Sequence, residues 1–124
     1  MTAAQFRSIA LSLPETEERA HMNHPDFRVG SKIFATLGYP SAGWAMVKLT
    51  PMQQQLYTIA HPDAFLPIKG AWGRRGATNV RLSAVGARIA RQALTDAWNT
   101  VSGKAGRQEG RTAEVQGRRA GRRK

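Results

Sequence analysis

Two β-rich runs around a Gly-Ser pair constrain the fold of this 124-residue chain more than any other feature. They occupy residues 27–37, with Gly30 and Ser31 between them. This pair suits a type II′ hairpin turn, because glycine adopts the positive φ that the first loop position of that turn requires. A third β-rich run, residues 44–49, follows a linker rich in Gly, Pro and Ser. The three runs predict an antiparallel β-meander.

Apolar residues at helical spacing predict a helix on each side of the meander. In the first helix, Thr2 and Gln5 have the spacing of a capping box, and Pro14 marks its end. The second helix begins at Thr50, with Pro51 at its first helical position. The apolar face of each helix is expected to lie against the core: Phe6, Ile9, Ala10 and Leu13 in the first, and Met52, Leu56, Ile59 and Ala60 in the second.

A glycine-rich loop (residues 70–76), a short strand and a third helix follow. In the strand, Val80 and Leu82 alternate with Arg81, and Ser83 is expected to cap the helix. The element order α-β-β-β-α-β-α predicts an α+β domain. Its small antiparallel sheet, the meander plus one further strand, is expected to be covered by the N- and C-terminal helices. The apolar stripe of the last helix contains Val85, Ile89, Ala93, Leu94, Ala97, Trp98 and Val101.

Positive charge is present in both the domain and the C-terminal segment. The 19 Lys and Arg residues outnumber the 8 Asp and Glu residues, which gives a formal net charge of +11. Residues 103–124 contain eight basic and two acidic residues, a charge of +6, so residues 1–102 carry the remaining +5. Because no apolar residue after position 103 is larger than valine, this segment is predicted to be a disordered basic tail.

Composition excludes several classes of protein. The absence of cysteine excludes a disulfide scaffold, a thiolate nucleophile and metal sites that need cysteine. No stretch approaches 18 consecutive apolar residues, and Gln5 and Arg7 interrupt the segment where a signal peptide would be apolar. We therefore expect a soluble, cytoplasmic protein with no membrane partner, and a monomer is favoured.

The strongest functional signal is a basic segment with one tryptophan and three glycines. Glycine lets a backbone approach a phosphate, arginine supplies a rigid donor fork, and tryptophan stacks on bases or sugars. The spacing is not that of a nucleotide-binding P-loop, because no Gly-Lys-Ser/Thr follows the first glycine. In the alternative interpretation, the glycines serve turns and the arginines are solvated or paired with Glu15, Glu17 and Glu18. The candidate residues are Lys69, Trp72, Arg74, Arg75 and Arg81.

A second basic set lies on the predicted meander and consists of Arg28, Lys32 and Lys48. If Gly30 and Ser31 form the loop, Arg28 and Lys32 lie beside it on opposite faces. Such residues can contact the phosphates of both DNA strands without specifying sequence, or they can protect an exposed sheet edge. No predicted helix has the Asn, Gln and Arg residues of a recognition helix, so sequence-specific readout is not expected.

Metal binding and catalysis find less support. Pro25 interrupts the helical spacing of one candidate ligand set, and the other is typical of a turn. No Gly-x-Ser-x-Gly motif is present, and Asp96 is expected on the surface of the last helix. We therefore predict no enzyme activity, no cofactor and no metal. The ligand sets considered are His21 and His24 with Asp26, and His61 with Asp63.

An ordered set of short motifs resembles the MmcQ/YjbR family over about residues 3–101. The resemblance implies a small α+β domain with a frataxin-like (CyaY-like) arrangement, in which paired β-hairpins form a double-winged DNA-binding motif. The basic tail lies outside the family pattern. The motifs are Pro14-Glu15-Thr16-Glu17-Glu18, His21, His24-Pro25-Asp26-Phe27-Arg28-Val29, Lys32-Ile33-Phe34-Ala35 and Gly70-Ala71-Trp72-Gly73.

Together, these observations predict a domain of residues 1–102 that binds DNA through its phosphate backbone and tolerates any sequence. The alternative is a small-ligand or protein-binding module with a pocket near Trp44, Trp72 and His24, in which only the tail of residues 103–124 contacts nucleic acid. The predicted DNA-binding residues are Arg28, Lys32, Lys48, Lys69, Trp72, Arg74, Arg75 and Arg81.

Overall fold

A six-stranded antiparallel sheet forms the centre of the computed structural model, which describes residues 1–103. The strand order is β1-β2-β3-β4-β6-β5, so the predicted α+β class is confirmed. The elements are α1 (Ala3–Leu11), β1 (Thr16–His21), β2 (His24–Val29), β3 (Lys32–Leu37), β4 (Trp44–Lys48), α2 (Pro51–Ala60), β5 (Phe65–Pro67), α3 (Ala71–Arg74), β6 (Ala77–Arg81), a 3₁₀ turn (Leu82–Ala84) and α4 (Ala87–Ser102).

Most of the predicted tail, residues 104–124, lies outside the described residues, so its predicted disorder remains a prediction. Within residues 1–103, no helix has the length and apolar character that crossing a membrane requires.

The predicted capping boxes set the starts of α1 and α2. The Thr2 hydroxyl accepts a hydrogen bond from the Gln5 backbone N–H at 3.1 Å, and the Gln5 side chain accepts one from the Thr2 N–H at 2.8 Å. Thr50 and Gln53 form the same reciprocal pair. The predicted cap of α4 is wrong, because Ser83 lies in the 3₁₀ turn and Gly86 precedes the helix.

The predicted hairpin is present, but its turn type differs from the prediction. Gly30 and Ser31 both have positive φ, 57° and 68°, which is typical of a type I′ turn rather than type II′. The register pairs Val29 with Lys32, which leaves only these two residues in the loop. Arg28 and Lys32 therefore lie on opposite faces, as expected.

Two strands were not predicted, and together they extend the sheet from four strands to six. β1 covers the acidic stretch that contains Glu17 and Glu18, where no element was predicted, and it forms an edge by pairing only with β2. Most of its side chains are exposed or half-buried, so the strand has no apolar alternation that a sequence pattern would detect. β5 has only three residues and pairs with β6 at the opposite edge.

The core lies between α1, α4 and one face of the sheet. Residues paired across strands share a face, and the partners Ala35–Val47 and Leu37–Ala45 belong to the buried apolar cluster. Phe65 and Val80 continue this face across β5 and β6. The predicted stripe of α4 is confirmed by its buried residues Ala90, Ala93, Leu94, Ala97 and Trp98, although Ala90 replaces Ile89, which is half-buried.

The prediction that the apolar face of α2 packs on the core is wrong. Met52, Leu56 and Ile59 are 73%, 62% and 71% exposed. The helix instead buries Tyr57, whose ring centroid lies 4.9 Å from that of Phe65. Polar contacts hold this orientation. The Gln54 side-chain amide donates to the Gly73 carbonyl of α3 at 2.9 Å and to the Ala77 carbonyl of β6 at 3.0 Å. The Tyr57 hydroxyl donates to Asp96 in α4 at 2.7 Å.

The Tyr57 hydrogen bond also explains why Asp96 is half-buried rather than at the surface. Burial raises the pKa of the Asp96 carboxyl, and the hydrogen bond from Tyr57 lowers it in part. Since the folded-state pKa is above the ordinary value, ionisation of Asp96 destabilises the fold as pH rises through that range.

Tyr57→Phe is expected to lower the free energy of unfolding by about 1–2 kcal/mol at pH 7, because Asp96 loses its donor while ionised. The loss should be smaller near pH 4, where the carboxyl takes up a proton. Urea unfolding at both pH values measures the difference. Tyr39→Phe, at a tyrosine that is 60% exposed, is the control and should change little. Equal losses in the two variants would contradict the role assigned to the Tyr57 hydroxyl.

The opposite face of the sheet, here called the open face, carries no core helix in the described part of the chain. Its central row crosses β2, β3, β4 and β6 and consists of Asp26, Thr36, Met46 and Asn79. Alternation along the strands places Arg28, Trp44, Lys48 and Arg81 on the same face around this row. The open face is therefore polar and aromatic, whereas the other face is the apolar core. Asp26, Thr36 and Met46 of the central row are themselves buried, and the residues around the row are half-buried or exposed.

Candidate nucleic-acid interface

Charges are ion-paired at one edge of the sheet and unpaired near the other. At the β1 edge, Glu18 pairs with Arg7 at 2.6 Å and Glu17 pairs with Arg19 at 3.4 Å. In residues 1–103, no carboxylate forms an ion pair with the basic residues near α3 and β6. The pairing of these arginines with Glu15, Glu17 and Glu18, considered above as an alternative, is therefore not found in this structure. The unpaired residues are Lys48, Lys69, Arg74, Arg75 and Arg81.

Lys48 and Arg75 lie beside Trp72, which is 58% exposed, and Lys69 and Arg74 are near it in the sequence. The Lys48 ammonium lies 5.2 Å from the centroid of the Trp72 ring, within cation–π range. Lys48, Trp72 and Arg75 line a cleft of about 290 Å³, and Thr100 and Val101 of α4 line it as well. We call Lys48, Lys69, Trp72, Arg74 and Arg75 the Trp72 cluster.

Glycines bring the backbone of this cluster into close contact with its neighbours. The segment predicted as a loop contains one short helix, α3, which follows Gly70 at φ 86°. A Cβ on Gly73 would lie 1.4 Å from the carbonyl oxygen of Ile68, and one on Gly76 would lie 1.9 Å from that of Leu49. Gly73 and Gly76 are buried, so they serve close backbone packing rather than the backbone approach to phosphate that the sequence suggested.

Arg28 lies on the open face but already has a carboxylate partner. Its Nε donates to Asp26 Oδ1 at 2.8 Å and its Nη2 donates to Asp26 Oδ2 at 3.1 Å, while His21 Nδ1 lies 2.8 Å from the same Oδ2. Asp26 is fully buried. The hydrogen bond from Arg28 lowers the pKa of the Asp26 carboxyl despite the opposing effect of burial, so the carboxylate is ionised at neutral pH.

The structure separates Lys32 and Arg81 from the Trp72 cluster. Lys32 is exposed at the hairpin, on the face opposite Arg28. The Arg81 guanidinium lies 4.5 Å from the centroid of the Trp44 ring, and its Nε donates to the Asp63 carbonyl at 3.2 Å. Trp44 begins β4 and Lys48 ends it, so the two pairs are roughly 13 Å apart along the strand. The cleft at Trp72 contains neither Trp44 nor His24, so the predicted shared pocket is not formed there.

Trp44 and Asn79 also lie on the open face but were not among the predicted DNA-binding residues. Alternation along β4 predicts that Trp44 and Lys48 share a face. Their pairing with Arg81 and Ala77 of β6 depends on the strand register, which the sequence does not give. The histidines do not form a metal centre in the described residues, where no three ligand-type side chains come together. His21 instead contacts Asp26 within the Arg28 pair.

Comparison with known proteins decides the family. A family model described as YjbR matches residues 11–100 of this chain. The chain belongs to the YjbR family. This range contains every residue of the Trp72 cluster, and the resemblance inferred from the short motifs is confirmed.

The fold of this YjbR-family chain is similar to that in the crystal structure of Deinococcus radiodurans protein DR2400, whose domain is named DUF419. The two chains are 20% identical, and the similarity covers 83% of this chain and 80% of the other, with a TM-score of 0.69. At this identity the similarity shows the fold alone. No curated protein sequence matches the chain.

Proposed function

We propose that this protein binds DNA without sequence preference, through the Trp72 cluster. The observation that supports the proposal is a set of cationic side chains without carboxylate partners among the described residues, arranged around an exposed tryptophan. Such side chains attract phosphate, whereas a structural charge cluster of this size would normally include carboxylates.

Each member of the cluster has a separate role in the proposed interface. Arg74 and Arg75 offer planar donor forks to phosphate oxygens, and Lys48 and Lys69 act as point charges. Trp72 presents an aromatic surface to sugars or bases. Phosphate contacts fix the position of the protein on DNA but carry no sequence information, so the binding is tolerant of sequence.

The basic C-terminal segment begins beside this cluster. The described chain ends at Gly103, two residues after Val101, which lines the cleft. All eight basic residues of the segment lie between positions 104 and 124. If segment and cluster together neutralise roughly five phosphates, affinity falls about 500-fold between 50 and 200 mM salt.

The experiment compares two double variants of the full chain with equal loss of charge. Arg74→Ala with Arg75→Ala removes two members of the cluster, and Arg88→Ala with Arg91→Ala removes two exposed arginines of α4. Binding of a mixed-sequence oligonucleotide is measured by fluorescence anisotropy from 50 to 200 mM salt. The first variant should bind more weakly, and its plot of log affinity against log salt should be less steep by about 2. The second variant should bind nearly as the parent does. Equal losses would show that net charge alone governs binding, and the proposal would then fall.

A second candidate is a protein-binding module, which one observation favours. Met52, Leu56 and Ile59 form an exposed apolar ridge on α2, and such ridges are typical of partner contacts. Under this hypothesis, only residues 104–124 contact DNA. Arg74→Ala with Arg75→Ala would then reduce affinity no more than the α4 control does, so the same measurement separates the two functions.

A further inference from the structure

The geometry points to single-stranded DNA as the form that this protein holds, with the strand lying along the open face of β4 between Trp72 and Trp44. The inference rests on the proposed function and deepens it, because it names the form of DNA and a second contact region. That region consists of Trp44, Asn79 and Arg81, none of which belongs to the Trp72 cluster.

Two aromatic–cation pairs mark the ends of this path. Lys48 lies 5.2 Å from the Trp72 ring centroid, and Arg81 lies 4.5 Å from the Trp44 ring centroid. Trp44 and Lys48 share the open face by alternation and are roughly 13 Å apart. Tryptophan rings and arginine planes both stack on nucleobases, and their stacking does not depend on which base is present. The spacing therefore suits a strand that places unpaired bases at both ends of β4.

Asn79 lies between the two pairs, and its side-chain oxygen lacks a hydrogen-bond partner. It pairs with Met46 in the strand register, one alternation step from Arg81. Its side-chain Oδ1 is buried, and no donor within the described residues reaches it. A buried oxygen without a donor destabilises a fold, and asparagine is disfavoured in strands. Nucleobase edges carry N–H donors, and a carboxamide oxygen accepts hydrogen bonds from them. Because this oxygen is buried in the unbound protein, a base must displace the side chains that cover it before it can supply the missing hydrogen bond.

Duplex DNA does not satisfy this arrangement. A duplex presents sugars and phosphates outward and keeps the faces of its bases stacked on one another, so neither Trp44 nor Trp72 would find a base to stack on. An unpaired strand presents phosphates and base faces together. The cations of the Trp72 cluster can then hold the backbone while the two tryptophan rings and the Arg81 plane stack on the bases.

The test measures the affinity of the full chain for a 15-nucleotide single strand and for the matching duplex by fluorescence anisotropy. We expect the parent to bind the single strand at least about tenfold more tightly, on the scale of one stacked base. Trp44→Leu should remove roughly that factor for the single strand and leave duplex affinity unchanged. Arg81→Lys keeps the charge but removes the stacking plane, so it should weaken single-strand binding and spare the duplex.

Asn79→Leu keeps the inference testable even if Trp44→Leu destabilises the fold. This variant removes the unpartnered oxygen, so its thermal midpoint should rise. Its single-strand affinity should fall by roughly fivefold at the same time. A merely structural role of Asn79 would not produce this combination.

In a contrary outcome, the parent binds the duplex as tightly as the single strand, or more tightly, while Arg74→Ala with Arg75→Ala still weakens duplex binding. That result would overturn the single-strand inference and leave the proposed function standing. Absence of binding to either form would overturn both.

Discussion

Asp26→Asn is expected to lower the free energy of unfolding by about 3 kcal/mol or more at pH 7, because it breaks a buried ion pair from one side. Asp26 has no solvent exposure, and its two oxygens accept hydrogen bonds from the Arg28 guanidinium. An asparagine of the same shape can accept only one of these bonds and carries no charge. The half-buried Arg28 cation would then lack its counter-ion.

Glu18→Gln is the matched control, since it neutralises a carboxylate in an exposed pair. The Arg7–Glu18 contact is shorter, at 2.6 Å, but both side chains are partly exposed. A solvent-exposed pair contributes less than about 1 kcal/mol. Urea unfolding of both variants measures the contrast. Losses of similar size in the two would mean that burial does not govern the Asp26 pair.

The effect of Asp26→Asn should also depend on pH in a defined direction. Arg28 holds the pKa of the Asp26 carboxyl below its usual range. The folded protein therefore binds the proton less readily than the unfolded chain does. The stability from the ion pair is fully present above the ordinary carboxyl pKa, about 3.9, and is lost as pH falls through the lowered value. The difference between parent and variant should stay similar from pH 7 to pH 5 and shrink below about pH 4.

Gly73→Ala is the second substitution with a large expected effect, a loss of roughly 3 kcal/mol or more through steric overlap. The added Cβ would lie 1.4 Å from the Ile68 carbonyl oxygen and 2.5 Å from its carbon. Both are backbone atoms, so no side-chain rotation relieves the overlap. The Gly73 carbonyl also accepts a hydrogen bond from Gln54 at 2.9 Å, so displacement of α3 would break its tie to α2.

Gly86→Ala is the control for this substitution. No atom lies within 4 Å of a Cβ at position 86, and its φ of −94° is accessible to alanine. Because Gly86 is the N-cap of α4 and alanine caps a helix less well than glycine, its thermal midpoint should fall slightly, and far less than that of Gly73→Ala. The tryptophan fluorescence of Gly73→Ala should shift as well, because α3 carries the exposed Trp72. Matching midpoints for the two variants would contradict the close packing of α3.

Local spacing was enough to predict the parts of this fold that depend on neighbouring residues. The capping boxes of α1 and α2 and the apolar stripe of α4 were predicted because each involves residues within a few positions of one another. β1 was not predicted, because an edge strand carrying Glu17 and Glu18 buries too little to need an apolar pattern. The orientation of α2 could not be predicted either, since it depends on the contact between Tyr57 and Asp96, which are 39 positions apart in the sequence.

The candidate site also contains one part that the sequence predicts and another part that depends on strand pairing. Residues 69–75 form a cluster in the sequence, so their role as a basic segment could be proposed without a structure. Lys48 joins Trp72 only because β4 pairs with β6, and Arg81 faces Trp44 for the same reason. The Asp26–Arg28 pair was detectable, because residues two apart on a strand share a face. The large contribution to stability expected from this pair depends on the complete burial of Asp26, which a sequence pattern does not report.

The uneven distribution of charge across the sheet also bears on how the protein would meet a polyanion. The glutamates of β1 are ion-paired with Arg7 and Arg19, whereas the cations near α3 and β6 have no carboxylate partner in the described residues, so the positive field of the domain is strongest away from the β1 edge. The field of a nucleic acid turns such a molecule before contact, so that collisions begin at the basic edge. Orientation of this kind acts on the rate of association more than on the lifetime of the complex, and added salt weakens it. By keeping the charges of the β1 edge neutralised, these ion pairs would set the direction of approach from an edge that does not itself touch the polyanion.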